Sequence, residues 1–66
     1  MFSEKLRELR KKNGITQDQL AIKLGVSPGA VSMWETNERK PNIIMLKKIA
    51  FVFKCTTDEL LESIEV

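Results

Sequence analysis

The segment TQDQLAIKLGVSPGAVSMWET, residues 16–36, holds two short helical patterns hinged on one glycine, and it restricts the fold more than any other stretch. Thr16 is a good N-cap, and Leu20, Ala21 and Leu24 then place an apolar stripe on one face of a two-turn helix. Gly25 follows the last apolar residue, where helices commonly exit through the left-handed conformation that glycine tolerates best. After Val26, Ser27 is a fresh N-cap and Pro28 suits the first helical position. Val31 and Trp34 continue the apolar stripe at a spacing of three. Two helices joined by so short a turn cannot lie antiparallel, so they must cross steeply. Ala21 has the small side chain that a close crossing requires.

The rest of the chain also reads as helix. A first helix is expected from near Ser3, taken as its N-cap, to Asn13-Gly14, with Phe2, Leu6 and Leu9 facing inward. TNERKP, from Thr36 to Pro41, lacks apolar residues and reads as a loop. A fourth helix should begin near Asn42 and run to about Phe53, with Ile43, Leu46, Ile49, Ala50 and Phe53 on one core-facing arc. Thr56 and Thr57 offer a cap for a fifth, Asp58 and Glu59 suit its first turn, and Leu60, Leu61 and Ile64 supply its apolar side. No strand alternation, repeat or low-complexity tract interrupts this pattern. The expected fold is all-α, a compact arrangement of five helices in a single domain over residues 1–66.

Sixty-six residues make one domain. A chain of this length buries only about 60% of its unfolded surface, so modest stability is expected. Met1-Phe2 is followed at once by SEKLRELRKK, so neither a signal segment nor a membrane span is expected. A single cysteine cannot form an internal disulfide and fits a reducing cytoplasm. Without histidine, and with only Cys55, neither a zinc site nor a Cys-His dyad can be built, so no enzymatic role and no cofactor are expected. Charge is unevenly placed: residues 1–54 carry all eleven bases against five acids, whereas residues 55–66 carry four acids and no base. A basic body suits a polyanionic partner, although uneven surface charge alone would look the same.

Two steeply crossed helices with this turn form a helix-turn-helix, whose second helix can enter the major groove of DNA. The chain resembles the lambda-repressor/Cro-type (XRE) family of five-helix domains over about residues 4 to 61. The resemblance rests on Gln17, on apolar or small residues at Leu20, Ala21, Leu24, Val26, Val31 and Trp34, and on Gly25 in the turn. Outside that unit Leu9-Arg10, Trp34-Glu35, a basic loop ending in Pro41 and a closing DELL also match.

The resemblance implies double-stranded DNA as partner and assigns roles residue by residue. Base readout would fall to Ser27, Pro28, Gly29, Ser32 and Met33. Pro28 and Gly29 depart from the usual polar choices and cannot make side-chain hydrogen bonds, so bidentate amide-to-adenine readout is lost there. Hydroxyl bonding by Ser27 and Ser32, apolar contact of Pro28, Ala30 or Met33 with thymine methyls, and shape readout remain. Gln17 opens the second helix, where a side-chain amide beside free N–H groups can grip a phosphate; its plainer alternative is a surface glutamine. Thr16 is a cap that can also touch a phosphate, and Asn37, Arg39 and Lys40 would reach the flanking backbone. Glu35, in the last turn of the third helix, meets the negative end of the helix dipole and needs a cation. The family pairs this position with Arg10. Cys55 reads as packing and Trp34 as core.

The fourth helix has more apolar residues than one core face can use. Ile44 and Phe51 fall together nearly opposite the core arc, with Met45 and Val52 in a stripe beside them. A dimer interface through Ile44, Phe51 and Val52 is expected, and packing beneath the fifth helix and the tail residues Ile64 and Val66 is the alternative. The leading functional expectation is a transcriptional regulator, a repressor binding a palindromic operator as a homodimer. The alternative is a protein-interaction module, an antitoxin or a subunit controlled by a protein antagonist.

Overall fold

The computed structural model describes residues 1–62, and within them five α-helices and no strand. These are α1 (Phe2–Lys12), α2 (Gln17–Leu24), α3 (Pro28–Glu35), α4 (Ile43–Phe53) and α5 (Thr57–Glu62). Ile64, expected on the apolar side of α5, and Val66, named with it as the alternative cover for the α4 stripe, lie outside the described residues.

Local chemistry explains most of the boundaries. At α2 the Thr16 hydroxyl accepts from the Gln19 backbone N–H at 3.0 Å, while the Gln19 side chain accepts from the Thr16 N–H at 2.8 Å. This reciprocal box satisfies two donors that the first helical turn would leave bare. Gly25 closes α2 with φ +74°, and the Val26 N–H returns to the Ala21 carbonyl. A Cβ there would meet nothing within 4 Å, so it is the left-handed backbone rather than crowding that calls for glycine. Ser27 then caps the Ala30 N–H, Asn42 caps the Met45 N–H at 2.8 Å, and Thr56 caps the Glu59 N–H at 3.1 Å.

The start of α1 differs from expectation. The helix begins at Phe2 with Met1 as an N-cap that makes no side-chain bond, and Ser3 lies buried inside the first turn. Burial of Phe2 draws the chain into the helix two residues early, so tertiary packing overrides the local capping preference of serine.

The core gathers one face from each helix: Phe2 and Leu6; Leu20, Ala21 and Leu24; Val31 and Trp34; Leu46, Ile49, Ala50 and Phe53; and Leu60. Leu9, Met45, Val52 and Cys55 pack against it half-buried, in keeping with Cys55 as a packing residue. Two apolar expectations are corrected. Ile43, placed on the core arc by periodicity, is 50% exposed because it opens α4, beyond the reach of the neighbouring helices. Leu61 is also exposed, since Leu60, one position earlier, takes the core-facing place on α5.

Candidate nucleic-acid interface

Beneath the helix-turn-helix lies a buried carboxylate. Glu35, at the end of α3, is only 3% exposed and sits among donors from two other helices, α1 and α2. Arg10 of α1 grips it with a two-pronged contact, Nε to Oε2 at 2.6 Å and Nη2 to Oε1 at 3.0 Å. Gln17, the first residue of α2, donates its amide N–H to Oε1 at 3.2 Å. The remaining Arg10 amino group donates to the Ile15 carbonyl at 3.1 Å, and Arg7 donates to the Glu35 backbone carbonyl at 2.8 Å. Arg7 therefore satisfies one of the carbonyls that the C-terminus of α3 leaves open.

Burial pushes the Glu35 carboxyl up, but the hydrogen bonds from Arg10 and Gln17 and the nearby charges of Arg10 and Arg7 outweigh it, holding the group below the ordinary carboxylate range. The same pairing raises the Arg10 guanidinium above its usual value. No described side-chain oxygen or nitrogen in the buried interior lacks a partner. Charges this well bonded fix direction more than they add net stability, because both lose hydration. The direction they fix is the seating of α2 and α3 on α1.

The exposed face of α3 carries the residues expected to read bases. Ser27, Pro28 and Gly29 are exposed at its N-terminal end, and Ser32 and Met33 are half-buried one turn further on. The Ser27 oxygen already accepts from the Ala30 N–H, which leaves its hydroxyl proton to donate. Ala30 itself packs against the core, so it offers little to a base.

The loop after α3 is folded back onto that helix. The Met33 carbonyl accepts from the Glu38 and Arg39 backbone N–H groups at 2.9 and 3.2 Å and from the Thr36 hydroxyl at 3.3 Å. Asn37 takes a left-handed φ of +65°, tolerated by asparagine better than by most residues, and reverses the chain. At the far end Pro41 is buried. Held at both ends, the loop presents Asn37, Arg39 and Lys40 to solvent. Thr16 is exposed with its hydroxyl committed to the capping box.

The inward turn of Gln17 and the part played by Arg7 were not foreseen. A signal for Arg7 did exist: it precedes Arg10 by three residues and so shares its helix face. On α4, Ile44 and Phe51 are exposed and Val52 is half-buried, as their place off the core arc requires. Ile22 of α2, which had no assigned role, is 80% exposed.

Comparison with known proteins agrees with this geometry. The sequence matches the Helix-turn-helix family over residues 6–60. It is 46% identical over 65 residues to the HTH-type transcriptional activator BcrR of Enterococcus faecalis, covering 98% of this chain and 32% of that protein. It is 37% identical to Repressor protein C2 of Salmonella phage P22, covering 94% of this chain and 29% of the repressor. The chain thus spans about a third of the length of these relatives. The NMR structure of the P22 C2 repressor DNA-binding domain superposes with a TM-score of 0.89 at 36% identity, over 96% of this chain and 83% of that one. The crystal structure of the biofilm regulator SinR in complex with DNA gives 0.85 at 31% identity, over 92% and 98%. A buried ion pair seating two crossed helices, an exposed α3 face and these shared sequences lead to one conclusion: the chain belongs to the lambda-repressor-type (XRE) helix-turn-helix family of DNA-binding transcription regulators.

Proposed function

We propose that the chain represses transcription by binding a palindromic operator as a homodimer. The observation that carries the reading is the Glu35 cluster, which holds α2 and α3 at one angle with the N-terminal half of α3 open to solvent. A helix entering the major groove must be presented by a rigid support, and α1 and α2, both bonded to a carboxylate carried by α3, provide it. Ser27, Pro28, Gly29, Ser32 and Met33 would face the base edges. Thr16, Gln17, Asn37, Arg39 and Lys40 would hold the backbone. Gln17 spends one amide N–H on Glu35 and keeps a second to donate to a phosphate, so Glu35 would aim the contact. The P22 C2 repressor has been crystallised with a synthetic operator, and the SinR structure likewise contains DNA.

Repression needs only occupancy of the operator, and no surface beyond the DNA face. The dimer would be joined through α4, where Ile44 and Phe51 stand exposed with Val52 at the edge of the patch. Selection of bound sequences from a random DNA pool tests the whole reading. The expected product is an inverted repeat with half-site centres about 10–10.5 base pairs apart. Recovery of single, unpaired half-sites would overturn the dimer, and recovery of no sequence preference would overturn the operator.

A further inference from the structure

Ile22 on α2 and Phe51 on α4 are 80% and 85% exposed, the two most exposed large apolar side chains among the described residues. They line one depression between α2 and α4, of about 510 Å³, together with Lys23, Lys47, Lys48 and Val52. The depression continues past Phe51 to Lys54 and Cys55. Among the described residues, four lysines and no acid line this apolar floor. Such a rim limits what can cover it. A contact in which Phe51 simply met its own copy across a two-fold axis would bring Lys47 and Lys48 towards their own copies, and like charges at a closing interface are repulsive.

The chain carries the complementary chemistry on another element. Residues 55–66 hold four acids and no base. Within α5, Asp58, Glu59 and Leu61 are exposed, and the three-residue spacing sets Asp58 beside Leu61 on one helix face. An exposed leucine flanked by carboxylates matches an exposed phenylalanine flanked by ammonium groups. The α5 of the same copy is committed elsewhere, for Leu60 buries it against the core and the helix packs on α1 and α4.

We propose that the lysine-rimmed groove between α2 and α4 receives the acidic α5 face of a second copy of this chain, two such reciprocal contacts closing the dimer. The inference rests on the homodimer reading given above and specifies which surfaces meet. Reciprocity follows from two-fold symmetry, since each copy offers one groove and one α5.

Charge exchange tests it. Variant one carries Lys47→Glu and Lys48→Glu, and variant two carries Asp58→Lys and Glu59→Lys. All four positions are exposed, so both variants should retain the wild-type helical circular-dichroism spectrum. In sedimentation each variant alone should dimerise at least about tenfold more weakly than wild type, and an equimolar mixture should recover the wild-type dimer, because every groove then faces an α5 of opposite charge. Phe51→Ser, which alters no charge, should weaken the dimer to a similar degree and should not be rescued by mixing. A wild-type dimer that is indifferent to the α5 exchange, or variants that stay apart on mixing, would overturn the α5-groove contact while leaving the homodimer standing. A wild type that sediments as a monomer and occupies its operator as a monomer would overturn both. Should the groove instead bind an acidic, leucine-containing peptide in a wild type that never self-associates, its occupant is a foreign protein and the proposal fails.

Discussion

Two regions of this small domain treat polarity in opposite ways. Beneath the helix-turn-helix a carboxylate, a guanidinium and an amide are drawn out of water, with Glu35 3% exposed. On the α2–α4 face an isoleucine and a phenylalanine stand almost fully in water. Each arrangement costs free energy by the ordinary rules of burial, and each is compensated in its own way. The buried cluster is compensated within the molecule, since no buried side-chain nitrogen or oxygen among the described residues lacks a partner. Among the described residues nothing covers the apolar face. One region is therefore finished by folding, and in the proposed dimer the other is finished by association.

The sharpest way to break this contrast is to unpair the buried side. Arg10→Met should leave Glu35 buried without its cation and cost about 3–5 kcal/mol. In a domain of this size that corresponds to a fall in Tm of at least about 10 °C. Arg10→Met combined with Glu35→Leu should recover much of the loss, because the stranded charge is then gone. An unchanged melting temperature in the single variant would show that the ion pair contributes nothing to folding.

On the exposed side, Phe51→Ser should split the proposed dimer with little change in the stability of each copy, within about 0.5 kcal/mol, since Phe51 is 85% exposed. Operator affinity should still fall by more than one lost contact explains, since both half-sites must be engaged at once. Equal losses of folding stability and of dimerisation would mean that α4 is holding the monomer together.

Protonation probes the buried cluster more gently than substitution. The folded-state pKa of Glu35 is depressed, so its contribution to stability is present in full above the ordinary carboxylate range. It is lost as pH falls through the depressed folded value. Urea melts across the acid range should show a steeper decline for wild type than for Glu35→Gln. Parallel slopes would assign the acid sensitivity to other carboxylates.

The reading face should respond without either region changing. Met33→Ala should alter preference at one base position by about 1–3 kcal/mol and leave the melt near wild type. Smaller still, Lys40→Ala should lower affinity for all sequences alike and reduce the slope of log affinity against log salt by about one. A sequence-dependent loss at Lys40 would move that side chain from the backbone into the groove.

Much of the fold was legible from residue order alone, and the reason is the short range of the signals. Thr16, Ser27, Asn42 and Thr56 each cap a backbone N–H three residues ahead, so the whole interaction lies inside a window that a sequence displays. Gly25 is legible for the same reason, because a left-handed exit is a property of one residue. The Arg10–Glu35 pair needed the family resemblance as well as the awkward charge at a helix end. Ser3 misled because its cap preference was outweighed by burial of its neighbour Phe2.

The sequence by itself thus determined five helices, most of their ends, and that the N-terminal end of α3 and the loop after it face outward. Only the tertiary structure decided that Arg7 and Gln17 join Arg10 on Glu35, that Ile43 and Leu61 turn away from the core, and that Ile22 shares a groove with Phe51. Caps and periodicity follow from the bonding geometry of a single helix. Which side chains converge, and which apolar ones are left in water, follows from how helices far apart in the chain cross one another, and residue spacing carries no record of those angles.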